Sequence, residues 1–353
     1  MKKIEKIIAE IKGLDYKLME KAQERLDNLT KPQGSLGKLE DLAKNIVGIT
    51  GKENPAITNK VIFTFAADHG VTEEGVSAFP KEVTAQMVYN FLNDGAGINV
   101  LAKHVGARVV VADLGVASDL KPHKSLVNKK INYGTKNFAK GPAMTKAEAI
   151  KSIEAGIDIF EKEYAKGIDI IGIGEMGIGN TTSSAAIAAV FTKKPVSKLT
   201  GRGTGVTDLS LEKKIKIIEK SLKINQPDAS SAIDVLSKVG GFEIGGLCGI
   251  IIAAAARRVP VVIDGFISTT AALVAYELTP KVKDYMIASH VSVEKGHKII
   301  LEHIGLIPIL DLNLRLGEGT GAALGINLCE ASIKILTQMA TFKSAKVAEK
   351  TNK

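Results

Sequence analysis

The stretch Gly172-Ile-Gly-Glu-Met-Gly-Ile-Gly-Asn-Thr-Thr182 follows the apolar run Ile168-Asp-Ile-Ile171 and leads into an Ala-rich segment, residues 183–190. A buried strand therefore enters a glycine turn, and a helix starts beyond it. Glycines permit positive φ and close backbone approach, while Asn180, Thr181 and Thr182 can cap a helix whose first N–H groups point into the turn. Such a turn favours an anion. Two phosphate motifs almost fit. Gly172-x-Gly174-x-x-Gly177 has the spacing of a dinucleotide fingerprint, but Glu175 inside it would repel a pyrophosphate. Lys193, Lys194 and Lys198 also stand where an acidic residue is needed about 20 positions on. Gly174-x4-Gly179-Asn180-Thr181 has the spacing of a nucleoside-triphosphate loop, with Asn in place of its lysine. What remains is a turn shaped for one phosphate, with a carboxylate beside it for another purpose.

Outward from this turn, the chain alternates apolar strands and helices. Strands are expected at residues 61–67, 107–112, 168–171, 259–263, 285–288 and 307–310. Polar residues collect at their carboxyl ends: Asp68-His69, Asp113, Asp264-Gly-Phe-Ile-Ser268, Ser289-His290 and Asp311. Six such strands separated by helices imply an α/β fold, a doubly wound and mainly parallel six-stranded sheet of Rossmann-like kind, with the site along the carboxyl edge. Residues 1 to about 50 read as helices, interrupted by Thr30-Lys-Pro-Gln-Gly-Ser-Leu-Gly37. Residues 82–92 form an amphipathic helix carrying Gln86 and Met87, candidates for a pocket mouth. Residues 117–144 lack periodicity and read as an irregular excursion. Thr145 with Glu148 makes a capping box for a helix through Tyr164. Two further turns, Gly201-Arg-Gly-Thr-Gly205 and Gly317-Glu-Gly-Thr-Gly321, share one pattern before helices, and the second presents Glu318 between glycines.

Composition narrows the function classes. With 353 residues and 45% hydrophobic content, the chain can bury a large core. No apolar run is long enough to span a bilayer, and Met1-Lys-Lys-Ile-Glu-Lys lacks a signal-peptide core, so a soluble cytoplasmic protein is expected. Cys248 and Cys329 lie in apolar surroundings that suit buried thiols. The net charge of +9 comes from lysines spread over helices with glutamates interleaved, and Trp is absent, so no nucleic-acid surface is expected. Asp68 and His69 are candidate metal ligands or acid–base groups, but no further His or Cys stands near them at metal spacing, and no metal or cofactor is expected.

Several long stretches resemble the nicotinate-nucleotide–dimethylbenzimidazole phosphoribosyltransferases, which make the lower ligand of cobalamin. They are Thr30-Lys-Pro-Gln-Gly-Ser-Leu-Gly37, Ala67-Asp-His-Gly-Val71, Gly174-Glu-Met-Gly-Ile-Gly-Asn-Thr-Thr182, Gly201-Arg-Gly-Thr-Gly205 and Leu314-Arg-Leu-Gly-Glu-Gly-Thr-Gly-Ala322. The resemblance covers nearly the whole chain in the family's order. It implies transfer of the phosphoribosyl group of nicotinate mononucleotide to 5,6-dimethylbenzimidazole or a related base, with inversion at C1′. Glu318 would then be the general base, and Glu175 a second site carboxylate for the ribose hydroxyls or the developing positive charge. Lys214 would lie near the nucleotide. Gly177, Gly179, Asn180, Thr181 and Thr182, with Gly201, Gly203 and Gly205, would take the 5′-phosphate. Arg315 would meet the phosphate or the nicotinate carboxylate, unless it only forms a surface ion pair. Gln86, Met87, Met176 and Leu316 suit a flat aromatic ring. The resemblance also implies a homodimer and a small helical domain built from residues 1–58 with 326–353, beside a catalytic domain at 59–325. A non-catalytic sensor or carrier of phosphorylated nucleosides could use the same phosphate turn, but binding alone needs no carboxylate aimed at a neutral base.

Overall fold

The computed structural model describes residues 1–201, 203 and 208–348. The chain opens with helices α1 (Lys2–Ala9), α2 (Tyr16–Asp27) and α3 (Lys38–Thr50), then enters strand β1 (Lys60–Ala67). Helices α4 (Val83–Leu92) and α5 (Gly97–His104) lead to β2 (Ala107–Gly115) and the short β3 (Leu126–Asn128). Helix α6 (Lys146–Tyr164) precedes β4 (Ile170–Met176). A helical run follows: α7 (Asn180–Thr192), α8 (Val196–Leu199), α9 (Asp208–Asn225), α10 (Ala232–Val239) and α11 (Phe242–Ala256). The last third holds β5 (Val261–Ile263), α12 (Phe266–Leu278), β6 (Met286–Ala288), β7 (His290–Ser292), α13 (Lys295–Ile304), β8 (Leu310–Leu314), α14 (Thr320–Gln338) and α15 (Phe342–Ala345).

Six strands form one parallel sheet in the order β3-β2-β1-β4-β5-β6. Side chains alternate across it, as strand periodicity requires. On β1, Val61, Phe63 and Phe65 enter the core under α6 and α11, while Ile62 and Ala66 enter the core under α5 and α14. The doubly wound α/β expectation therefore holds. Helices α2 and α3 pack with α14, and Leu29 bridges antiparallel to Thr341, which ties the two chain ends together. Helix α1 leaves that group, because Ile4 and Ile7 pack into the opposite core with α11. Thr145 and Glu148 form the expected capping box. Among the described residues no helix is long and apolar enough to cross a membrane.

Three strand expectations need correction. The sixth sheet strand is β3, inside the segment expected to be irregular; with Leu126, Val127 and the exposed Asn128 alone, this edge strand is too short to show a period. The segment expected at 307–310 does not join the sheet. Ile307 is 79% exposed and Pro308 has no N–H to give a ladder. The chain instead forms β8 at Leu310–Leu314, paired with β7 in a separate two-stranded sheet. Strand β4 runs on through Met176, so Gly172 and Gly174 lie within it. Gly172 leaves room for Ala322 and Ile326 of α14 to press on the sheet.

Small residues set the spacing of α6 and α11. A Cβ at Gly156 would collide with the Gly246 carbonyl, and one at Gly249 with the Ile153 carbonyl. Gly156→Ala should therefore destabilise the protein by about 1–3 kcal/mol, the usual range for overpacking. A urea midpoint equal to that of the wild type would show that the helices separate freely.

Candidate active site

The carboxyl ends of β4 and β5, together with α4, β7 and the turn before α14, enclose a cleft of about 410 Å³. Its floor is built from carboxyl groups. Glu175, next to last in β4, is buried and accepts a hydrogen bond from Asn180 Nδ2. Burial first, then the charges of Glu243 and Asp264, raise its carboxyl well above the usual range. Because Asn180 is engaged there, it does not cap α7. Gly179 takes the cap position at φ 93°, a conformation open to glycine.

Glu318 sits in a run of three left-handed residues, with φ of 86° at Gly317, 65° at Glu318 and 98° at Gly319. Its carbonyl accepts from Thr64 Oγ1 of β1 at 2.9 Å. Its carboxylate Oε2 accepts from the Ile98 N–H at 3.1 Å, at the start of α5. A helix N-terminus favours a carboxylate by about 0.3–1 kcal/mol. Burial outweighs it, since the Glu318 carboxyl is raised on balance. Asp264, beyond β5, accepts from Gly319 N at 3.0 Å, Gly321 N at 2.7 Å and Ala322 N at 3.2 Å, so it caps α14 and fixes the Glu318 turn. Burial still pushes its carboxyl up to about 7 against those donors. His290 lies 3.9 Å from Asp264 and is pushed below its ordinary value by burial.

Cations occupy the other side. Buried Lys214 donates from Nζ to Thr181 Oγ1 at 2.7 Å; burial lowers its ammonium to about 8, with the Glu294 charge opposing. Glu294 Oε1 in turn accepts from Gly203 N at 2.9 Å. Arg315 lines the cleft mouth. Apolar groups from Phe79, Val83, Met87, Met176, Phe266 and Leu316 complete the walls. The result is a slot with a carboxylate floor, an apolar lip and a buried lysine at one end.

The structure brings together Glu175, Met176, Gly177, Asn180, Thr181, Gly203, Met87, Arg315, Leu316 and Glu318 on this cleft. Lys214 reaches it through Thr181. Gly179 supports it from behind, packed near Thr72 and His69, and Thr182 is buried away from it. Gly201 is buried against Glu294, and Gly205 lies outside the described residues. Gln86 is exposed and off the lining; Val83 and Met87, one helical turn apart, are the residues of α4 that face the cleft. Among the described residues no group of three or more His, Cys, Asp or Glu is arranged to hold a metal ion. Sequence reading assigned no role to Asp264, Glu243, His290 or Glu294. The strand-end positions of Asp264 and His290 were a usable signal; nothing in the local pattern marks Glu294.

A family model described as phosphoribosyltransferase matches residues 11–347. The nicotinate-nucleotide–dimethylbenzimidazole phosphoribosyltransferase of Geobacter sulfurreducens (strain ATCC 51573 / DSM 12127 / PCA) is 58% identical over 342 residues, 97% of each chain. Its namesake from Roseiflexus sp. (strain RS-1) is 54% identical over 350 residues, 99% of each chain. Among solved structures, CobT from Thermus thermophilus matches with a TM-score of 0.91 at 40% identity, covering 95% of this chain and 100% of the other. The chain therefore belongs to the family of nicotinate-nucleotide–dimethylbenzimidazole phosphoribosyltransferases, which act in synthesis of the cobalamin lower ligand.

Proposed function

We propose that the protein moves the 5-phosphoribosyl group of nicotinate mononucleotide to 5,6-dimethylbenzimidazole or a related base, giving α-ribazole 5′-phosphate and nicotinate with inversion at C1′, and that Glu318 is the general base. The observation that carries this reading is the Glu318 carboxylate, held on a glycine turn that lines the cleft beside Leu316, with its carboxyl raised by burial. Mere binding of a nucleotide gives no reason for such a group. A raised carboxylate is a better base near neutrality.

In the reaction the glycosidic C–N bond breaks with its electron pair going to the pyridinium nitrogen, so nicotinate leaves with a neutral ring and needs no strong acid. One azole nitrogen attacks C1′ from the opposite face, and the proton on the other nitrogen passes to Glu318. Positive charge moves from the pyridinium through the ribose to the azole. Glu175 at the floor would stabilise that charge or hold the ribose hydroxyls. Lys214, Thr181 and the turn 177–180 suit the 5′-phosphate, and Arg315 suits the phosphate or the nicotinate carboxylate. The walls at Met87, Met176, Val83 and Leu316 suit a flat ring. The family resemblance alone supports the homodimeric, cytoplasmic enzyme and the division into a helical unit at 1–58 with 326–353 and a catalytic unit at 59–325.

Glu318→Gln should lower turnover by roughly 10²–10⁴-fold, the span of one positioned acid–base group. Nicotinate mononucleotide should still bind. Mass-detected product formation beside calorimetry checks both, and near-normal turnover would remove Glu318 as the base. The raised carboxyl of Glu175 also has a stability consequence. Its protonated form is favoured in the folded state, so it costs nothing below the ordinary carboxylate value and a growing amount as pH rises above it. Glu175→Gln, which keeps an acceptor for Asn180, should therefore raise the melting temperature at pH about 8 but not at pH about 4. Equal melting temperatures at the higher pH would contradict the strained carboxyl.

A further inference from the structure

Beneath the glycine turn lies a buried polar chain that the transfer chemistry above does not use. His69, at the carboxyl end of β1, has Nδ1 2.9 Å from Ser183 Oγ on α7 and Nε2 2.6 Å from Glu243 Oε1 on α11. All three side chains are fully buried. Nε2 carries the hydrogen of that bond, because a carboxylate can only accept. The imidazole thus joins three elements from opposite sides of the turn.

The backbone is shaped around this ring. A Cβ at Gly241 would collide with His69 Cε1, and one at Gly177 would come within 3.4 Å of the ring. At Gly179 an added Cβ would come within 3.4 Å of His69 Cβ. The turn 177–179 therefore packs against His69 together with the Ala67 carbonyl and Thr72, and Asn180 at its end holds the Glu175 carboxyl. The other oxygen of Glu243, Oε2, is buried without a hydrogen-bond partner among the described residues. A carboxylate so poorly satisfied acts strongly on its neighbours. We propose that His69 is a positioning residue for phosphoribosyl transfer: it seats the turn that carries Asn180 and fixes the Glu243 charge that acts on Glu175. The inference rests on the assignment of Glu175 to the ribosyl side of the reaction.

The electrostatic setting is defined by few groups. Glu175 faces Glu243 from α11, Asp264 from the end of β5, Glu318 from the turn before α14, and the neutral Asn180 from α7. Asp68, beside His69, accepts from the Ala117 N–H at 2.7 Å and feels both His69 and Glu243. Lys214 is engaged with Thr181 and Glu294. Removing the Glu243 charge takes away the largest like charge acting on Glu175 and should let Glu175 ionise at lower pH.

The test measures kcat, KM for nicotinate mononucleotide and the pH profile of kcat for full-length His69→Gln, Glu243→Gln and Glu175→Gln proteins. Glu175→Gln should lower kcat. His69→Gln should lower kcat roughly tenfold with KM changed less than about threefold, the signature of a misplaced group rather than lost binding. Glu243→Gln keeps an acceptor for His69 and should move the acid limb of the profile down by about half a pH unit or more. Wild-type kcat in His69→Gln, or an unmoved acid limb in Glu243→Gln, overturns the inference. Should His69→Gln fail to fold, the acid limb of Glu243→Gln decides. A wild-type-like Glu175→Gln overturns the assignment of Glu175 itself; an impaired Glu175→Gln beside two unaffected variants overturns the inference alone.

Discussion

The site depends on one close approach between backbones. Gly174 of β4 faces the turn that carries Glu318, and a Cβ there would collide with the Glu318 carbonyl and with Gly319 N. Only glycine leaves the turn room to lie on the sheet. Thr64 of the neighbouring β1 then holds the Glu318 carbonyl, and Asp264 beyond β5 holds Gly319 N. Three adjacent parallel strands thus converge on a five-residue turn and fix a left-handed glutamate in it. The next residue of β4 after Gly174 is Glu175, so the contact that seats one carboxylate also sets where the second one lies.

The same geometry explains why the site is costly to fold and useful once folded. Glu175, Asp264 and Glu318 are all buried, with Glu243 close enough to act on Glu175. Water would solvate these groups better than the protein does. The buried cation Lys214 is engaged with Thr181 at the other end of the cleft, and the groups paired with Glu243 and Asp264 are the histidines His69 and His290. A floor of carboxyl groups, once ionised, is a setting in which a cationic sugar is stabilised. Folding energy is thereby held at the site, and the sheet and its two apolar cores supply the excess that tolerates it.

Much of this was legible in the sequence. The glycine pattern at 172–179 announced a turn after a buried strand, and the Gly-Glu-Gly context drew attention to Glu318, because a side chain between glycines protrudes unhindered; its left-handed φ was not foreseen. What escaped notice did so for physical reasons. Strand β3 is too short and too exposed to show periodicity. Gly172 and Gly174 read as turn residues but are strand residues, since glycine marks close approach as well as bends. Gln86 looked like a pocket residue until helical geometry put Val83 and Met87 on the facing side. Asp264 and His69 stood out as polar residues at strand ends, but they and Glu243 act through partners more than 50 residues away in sequence, and no local pattern records such pairings.

The most direct test is a crystal structure of the protein with dimethylbenzimidazole bound. A general base must stand within hydrogen-bond reach of the proton it takes. The account predicts a ring nitrogen about 2.6–3.2 Å from a Glu318 carboxylate oxygen, with the ring between Met87, Met176 and Leu316. A ring bound elsewhere, or with its nitrogen turned to a group other than Glu318, would contradict it.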